Sequence, residues 1–423
     1  LRAIIFICLI WSLPFPCQLH GQSAIKEYIR DYAAGINSID ASASDDSDLK
    51  AIGDAIGASR VVMLGEQDHG DAPTFQAKTR LIRYLHEKKG FNVLAFESDF
   101  YGLNYGWDQI PKEEASIDTF LRKNIFGIWS ICDACTDLLY DYVPETYRTD
   151  TPLVVTGMDS QVFLTYSTEH LYAQFDSVLR KYKLPIVRTP AYATEILPLI
   201  SSWQKRAADT AAQRTCIVYL KQIREELSAA VPADDFWMMV ADNLIQMNTQ
   251  FAQQEYYAKN NTRDRQMAAN LTWLVNVKFP KEKIIVWAHN YHISKYAGHY
   301  PEDFLNEART MGAVFTADSI LNETTYILGF TSFGGTAGRI GVKPYDVSKP
   351  KSDSFESWID KKQSYSFVDF RKFAALHPGY REPFNMSGAV KGNMYHKNHL
   401  AEWHRIFDGV FFIRDMFPCK KID

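Results

Sequence analysis

Four short apolar runs constrain this chain more than any other feature. Val61-Val62-Met63-Leu64 follows Arg60, and Val93-Leu94-Ala95-Phe96 follows Asn92. Leu153-Val154-Val155-Thr156 leads to Gly157, and Ile284-Ile285-Val286-Trp287-Ala288 follows Lys283. Each is too short and too β-branched for a globular helix, and each reads as a strand buried on both faces, as in a parallel sheet. Each also meets its first polar group at its C-terminal end: Glu66 and His69, Glu97, Asp159, and His289 with His292 close behind. Strands laid parallel in one sheet would gather these side chains along one edge. That carboxyl edge is where open α/β sheets bind ligands. One such placement arises by chance; four argue for a shared cleft.

The most informative junction is Gly65-Glu66-Gln67-Asp68-His69-Gly70. Pro73 to Lys89 follows with helical periodicity, Phe75, Leu81, Ile82 and Leu85 sharing one face. An acid and an imidazole therefore sit on a strand-to-helix turn. The two glycines permit tight backbone conformations there. The segment is expected to be an active-site loop.

The whole reads as an α/β fold, a mostly parallel central sheet flanked by helices and split by an inserted helical lobe. Residues 23–160 form the first half of the core, 161–278 the helical insertion and 279–423 the second half. Strands are expected again at 283–288, 325–330 and 410–413. In the insertion, Trp237, Val240, Leu244, Met247 and Phe251 recur at helical spacing, a stripe that belongs to a core rather than to a cofactor. Phe333-Gly334-Gly335-Thr336-Ala337-Gly338-Arg339 lacks the spacing of either nucleotide-binding glycine motif and is expected to be a flexible loop at the sheet edge.

Residues 1–22 carry the layout of a secretory signal peptide: Arg2, the apolar run Ala3 to Leu13, then Pro14, Pro16 and a polar stretch. The expectation is a secreted or periplasmic protein. No other segment is apolar enough to span a membrane. With 46% hydrophobic residues and a formal charge of −4, the chain has the composition of an enzyme with a large core. No basic run or aromatic RNA-type motif marks a nucleic-acid partner. Beyond residue 22 the cysteines are Cys132, Cys135, Cys216 and Cys419. The Cys132-x-x-Cys135 spacing allows a local disulfide of structural rather than catalytic use.

A serine esterase would show G-x-S-x-G; Ser332 comes nearest, but Phe330 fills the first glycine position. Without a nucleophile elbow, direct attack by water is the economical mechanism, and an imidazole is the natural base. Glu66, His69, Glu97, His289 and His292 also form a set that could hold zinc or manganese. Their order is not the H-E-x-x-H signature.

Several segments together resemble the erythromycin esterases. They are Gly65-Glu66-x-x-His69-Gly70, Arg80-Leu81-Ile82-Arg83-Tyr84-Leu85, Gly90-Phe91 leading to Ala95-Phe96-Glu97, and Arg263-Asp264-Arg265-x-Met267-Ala268-x-Asn270. Val286-Trp287-Ala288-His289-Asn290-x-His292, Tyr326-x-x-Gly329-Phe330 and Phe407-Asp408-Gly409-Val410-Phe411-Phe412-Ile413 complete the set, in the family's order over roughly residues 50–415. The resemblance implies metal-independent hydrolysis without a cofactor. It makes His69 the general base, with Glu66 and Glu97 orienting it or the water. It makes His289 a second imidazole that stabilises the oxyanion or protonates the leaving alkoxide, and Arg265 a source of positive charge. Lys78 stands where many members have Arg, keeping the charge without the bidentate fork. Pro73 replaces a frequent Glu. Lys78, His292 and Asp159 are taken as substrate-binding candidates. Arg263 is read as a surface or helix-pairing residue, and Asp68 as divided between loop capping and the site.

The resulting expectation is a carboxylic ester hydrolase that opens a small-molecule ester or macrocyclic lactone, with macrolide resistance as one natural role. The alternatives are a metal-assisted hydrolase of a peptide or polysaccharide substituent, and a non-catalytic binding protein using the same cleft.

Overall fold

The computed structural model describes residues 21–203, 207–295, 308–387 and 396–422. The proposed leader therefore lies outside the described residues except at its last two positions. The strands, in chain order, are β1 (Ala34–Ile36), β2 (Val61–Leu64), β3 (Phe91–Asp99), β4 (Val154–Asp159) and β5 (Lys283–Trp287). They continue with β6 (Thr325–Ala337), β7 (Tyr345–Asp346), β8 (Tyr365–Asp369), β9 (Phe384–Ser387), β10 (Asn398–Ala401) and β11 (Gly409–Met416). The main sheet runs β1-β8-β11-β6-β2-β5-β3-β4, with β7 against the end of β6. From β11 to β4 every neighbouring pair is parallel; β8 joins β11 antiparallel, and β1 joins β8 antiparallel. The protein is thus an α/β fold with a mixed, mostly parallel sheet.

The connections explain where a cleft forms. The chain runs outward from β2 to β3 and β4, then returns to insert β5 between β2 and β3 and lays β6 on the other side of β2. Loops leaving β2 and β5 part at this reversal, the place where open α/β sheets leave a crevice. The inner strands are apolar because helices cover both faces: Val61, Val62, Met63 and Leu64 are all fully buried.

The helix after β2 spans Ala72–Lys89, and Gly90 stops it in the left-handed conformation (φ 72°), its N–H bonding the Leu85 carbonyl. Gly65 and Gly70 serve close approach rather than a turn needing positive φ. A Cβ on Gly65 would lie 1.9 Å from the Asn290 side-chain oxygen, and one on Gly70 would lie 2.1 Å from the Gly338 carbonyl oxygen. Asn290 itself is bracketed to Phe330 by donating to its carbonyl (2.7 Å) and accepting from its N–H (3.0 Å).

Between β4 and β5 the described residues contain helices and no strand, among them Tyr172–Lys181, Thr210–Ser228, Phe236–Ala252 and Tyr256–Trp273. Val240, Leu244 and Met247 of the apolar stripe are buried. Helix Tyr256–Trp273 is pinned to the end of β4 where the Asn270 amide donates to the Met158 carbonyl at 2.9 Å.

Two expectations are corrected here. The glycine-rich segment is strand as far as Ala337, because β6 follows β11 to its end: Gly334 pairs with Asp415 and Gly335 with Met416. A Cβ at Gly335 would come within 2.2 Å of the Met416 carbonyl oxygen, so only glycine fits that approach. The disulfide joins Cys132 to Cys419 across a sequence separation of 287, while Cys135 is a free, buried thiol. Cys135 lies in a short helical turn that carries its side chain inward, whereas the segment after β11 returns alongside Cys132. No helix among the described residues is long and apolar enough to cross a membrane.

Candidate active site

Glu66 leaves β2 as the first polar residue of the loop and is fully buried. One carboxylate oxygen accepts from His69 Nδ1 at 2.7 Å and from the Trp129 indole N–H at 3.1 Å; the other accepts from Lys78 Nζ at 2.7 Å. Burial pushes this carboxyl up, but the Lys78 ammonium and then His69 outweigh it and hold it below the ordinary carboxylate range. Lys78 has no exposed side-chain surface and stands 4.0 Å over the Trp287 ring, so its charge is met by a carboxylate on one side and a π face on the other. A carboxylate is acceptor-only, so the contact places the His69 proton on Nδ1 and leaves Nε2 as the acceptor nitrogen. The His69 side chain is 10% exposed. Its ring lies 5.4 Å from Trp129 and 5.2 Å from His289, centroid to centroid.

A second network lies across β3, β4 and β5. Arg263 donates from Nε to both Asp159 oxygens at 3.1 Å, from Nη2 to Glu97 at 2.7 Å, and from Nη1 to His292 Nε2 at 3.1 Å. His292 Nδ1 bonds Asp264, and its Nε2 lies against Glu97 (3.2 Å) as well as Arg263. Burial pushes the Glu97 carboxyl up, yet its contacts with His292 and Arg263 hold it well below its ordinary value. Its other oxygen accepts the His289 backbone N–H at 3.0 Å, tying β3 to the end of β5.

The edge thus brings together Glu66, His69, Glu97, Asp159, His289 and His292, with Lys78 beneath them. Arg265 and Arg263 stand in the opposite places from those their expected roles call for. Arg265 is exposed, because two residues along a helix turn the side chain by about 200°. Arg263, read as a surface or pairing residue, is the guanidinium inside the cluster. His289 donates from Nε2 to the Gln67 carbonyl at 2.8 Å and accepts the Tyr291 N–H on Nδ1 at 2.9 Å. Both ring nitrogens thus bracket backbone in this conformation. Lys78, His292 and Asp159 are buried behind the site rather than lining an open face. Asp68 caps the loop: it accepts the His69 N–H at 2.8 Å and binds Arg339 (2.7 Å) and the Tyr345 hydroxyl (2.8 Å).

The candidate metal ligands are each committed to cations, imidazoles or backbone groups and do not converge. Among the described residues, ligand atoms come together at Cys132, Asp133 and Cys419, where both sulfurs belong to the disulfide. Trp129 and Asp264 escaped the reading of the sequence. Trp129 carried no signal, whereas Asp264 stood inside the Arg-Asp-Arg segment.

Similarity to known proteins agrees with this arrangement. The model of the family described as erythromycin esterase matches residues 86–416. The Bacillus subtilis (strain 168) protein named "Putative hydrolase YbfO" is 26% identical over 399 residues, covering 87% of this chain and 86% of that one. A crystal structure from Bacillus cereus superposes with a TM-score of 0.72 at 16% identity, covering 95% of this chain and 99% of the other. A mutant of the erythromycin esterase EreC in its open conformation gives 0.63 at 19% identity, covering 91% and 98%. At these identities the two structures establish the fold. With the family match running over most of its length, the chain belongs to the erythromycin esterase family.

Proposed function

We propose that this hydrolase opens an ester or macrocyclic lactone by attack of water activated on His69, with no covalent enzyme intermediate. One observation carries the reading. His69 has its Nδ1 proton fixed by a buried carboxylate, while Nε2 has no hydrogen-bond partner among the described residues and the side chain keeps 10% of its surface exposed. Water bound at Nε2 gives its proton to the imidazole as its oxygen bonds the acyl carbon. The imidazolium, balanced by Glu66, then returns that proton to the leaving alkoxide as the carbon–oxygen bond breaks. The products are a carboxylic acid and an alcohol, or one hydroxy acid from a lactone. General-base catalysis of this kind is worth roughly 10²–10⁴-fold.

The test is a mass-spectrometric screen of the purified protein against 14- and 16-membered macrolides and simple esters. A gain of 18 daltons on a macrolide identifies lactone opening. An unchanged panel, or turnover undiminished in His69→Ala, removes the reading. Export belongs to the same proposal, supported by the charged, apolar and polar order of residues 1–22. N-terminal sequencing of native protein should find a start near residues 20–24, and a soluble cytosolic form retaining Ala3 to Leu13 would contradict it.

A further inference from the structure

A second polar constellation lies beside the site and has no part in the chemistry above. Ser332 Oγ donates to His396 Nδ1 at 3.0 Å, and His396 Nε2 donates to Asp71 Oδ1 at 3.0 Å. Ser332 is 1% exposed, and His396 and Asp71 are fully buried. The three residues have the connectivity of a Ser-His-Asp triad, but not a nucleophile's setting. Ser332 lies in the middle of extended β6 rather than on a sharp strand-to-helix turn, and it is closed off from any acyl carbon.

What the relay touches is the catalytic loop. Asp71 is two residues beyond His69, and its second oxygen accepts the Asp68 backbone N–H at 2.9 Å. That bond closes the turn from Asp68 to Asp71, within which the Gly70 N–H also meets the Asp68 carbonyl at 2.9 Å. The flanking backbone is held from outside by the segment after β11, through Ala72 N–H to the Phe417 carbonyl (3.1 Å) and Cys419 N–H to the Gly70 carbonyl (2.8 Å). The side chain of Asp71 is the inner tie. His396 adopts φ 51°, a left-handed conformation uncommon for a residue with a side chain, while using both ring nitrogens. Burial pushes the Asp71 carboxyl up even with His396 opposite it. An environment that opposes the charge makes a single hydrogen-bonded arrangement of the loop more selective.

We propose that Ser332, His396 and Asp71 form a buried relay that positions the Glu66–His69 loop, with His396 a positioning residue acting through Asp71. The inference rests on His69 as the base, so its test must read loop geometry apart from turnover. Selective ¹⁵N labelling of histidine, with His69→Gln to assign the signal, reports the His69 tautomer directly.

In His396→Asn the backbone preference for positive φ is kept, but the shorter side chain cannot span Ser332 and Asp71. The His69 signals are expected to leave the fixed Nδ1–H pattern and average between tautomers. On any ester the protein hydrolyses, kcat should fall roughly 10- to 100-fold with little change in KM. Asp71→Asn should retain most of both readouts, because the relay can run in reverse: amide to Nε2, and Nδ1–H to the serine oxygen. Asp71→Ala should not. Unchanged His69 signals in a cooperatively folding His396→Asn overturn the proposal. If that variant does not fold, Ser332→Ala decides, with a smaller shift in the same direction expected and no shift overturning it. A shifted tautomer with unaltered turnover would uphold the relay and remove His69 as base. A fluorophosphonate adduct on Ser332 that disappears in His396→Asn would overturn positioning in favour of a nucleophile.

Discussion

The site has two halves built from the same residue types, and they are finished differently. Around β2, Glu66 joins His69 and Lys78, and one imidazole nitrogen is left without a protein partner among the described residues. Across β3, β4 and β5, Arg263 meets Glu97, Asp159 and His292, and His292 meets Asp264. On the proposed reading, the β2 half holds the base and the other half holds fixed charge and shape. Buried acids and imidazoles therefore do not by themselves mark the chemical group. What separates the two imidazoles is that His292 has both ring nitrogens engaged, whereas His69 Nε2 has no hydrogen-bond partner among the described residues. The halves should separate under mutation, one through stability and the other through turnover.

The largest effect is expected at Arg263. Replacing it by Met leaves Glu97 and Asp159 buried without their cation, and breaking such a pair costs about 3–5 kcal/mol. Urea unfolding of Arg263→Met should show that loss, with activity falling as the folded population falls. A fully stable Arg263→Met would show that the second half is not held by its ion pairs.

His69→Ala should do the reverse. Glu66 keeps Lys78 and the Trp129 indole N–H when the imidazole is removed, so stability should change by less than about 1 kcal/mol. Its kcat should drop by at least about 10²-fold, near 2.7 kcal/mol of activation free energy. A stable, fully active His69→Ala would abolish the contrast between the halves.

Two carboxyls of β3 bring the comparison down to a pair of residues. Glu97 faces His292 and Arg263 and is held well below its ordinary value; Asp99 is pushed up to about 6 by burial, with Asp159 adding to the rise. Asp99 has hydrogen bonds from Gly102 N–H, Leu164 N–H and the Ser167 hydroxyl, and these do not offset its burial. The signs are opposite. The stability from Glu97 is present above about pH 4.3, the usual glutamate value, and is lost as pH falls toward its depressed folded value. Asp99 binds its proton more tightly folded than unfolded, so its contribution is greatest below about pH 3.9 and declines as pH rises toward 6. Glu97→Gln should flatten the acid limb of stability below about pH 4, and Asp99→Asn should flatten the slope between about pH 4 and 6. The pH dependence of the urea midpoint measures both; equal slopes in wild type and variants would deny the opposed shifts.

Much of this was legible in the sequence for a plain reason: β-branched runs too short for helices end in polar groups only where a strand stops at a shared edge. β2, β3, β4 and β5 and their acids and imidazoles follow from that pattern. The burial of Lys78 is legible too. This lysine falls three residues after Phe75 and four before Ile82, on the apolar face, where a charge implies a buried partner. Arg263 shares the inward stripe of Met267 and Asn270 in the same way. The Cys132–Cys419 bond, the Trp129 indole and the Ser332–His396–Asp71 relay were not legible. Each depends on segments far apart in sequence being brought together by sheet order, which no local periodicity encodes. β6 was read short because glycines suggested a loop, whereas they serve the close approach to β11.

The smallest effect is expected at Arg265, and it tests resemblance against geometry. The family likeness makes Arg265 the source of positive charge in the Arg-Asp-Arg segment and leaves Arg263 a surface or helix-pairing residue. In the structure the helix sorts them: Arg263 is turned inward against Glu97 and Asp159, and Arg265 outward to solvent. Exposed substitutions away from caps and networks change stability by no more than about 0.5 kcal/mol, so Arg265→Ala should unfold with wild type. Its kcat and KM should also be unchanged, in contrast to Arg263→Met. Steady-state kinetics on a substrate found in the macrolide and ester screen would read the difference. A large rise in KM for Arg265→Ala would place its guanidinium on the substrate in a conformation where this helix face meets the cleft. The division into an inward and an outward arginine would then describe the empty enzyme alone.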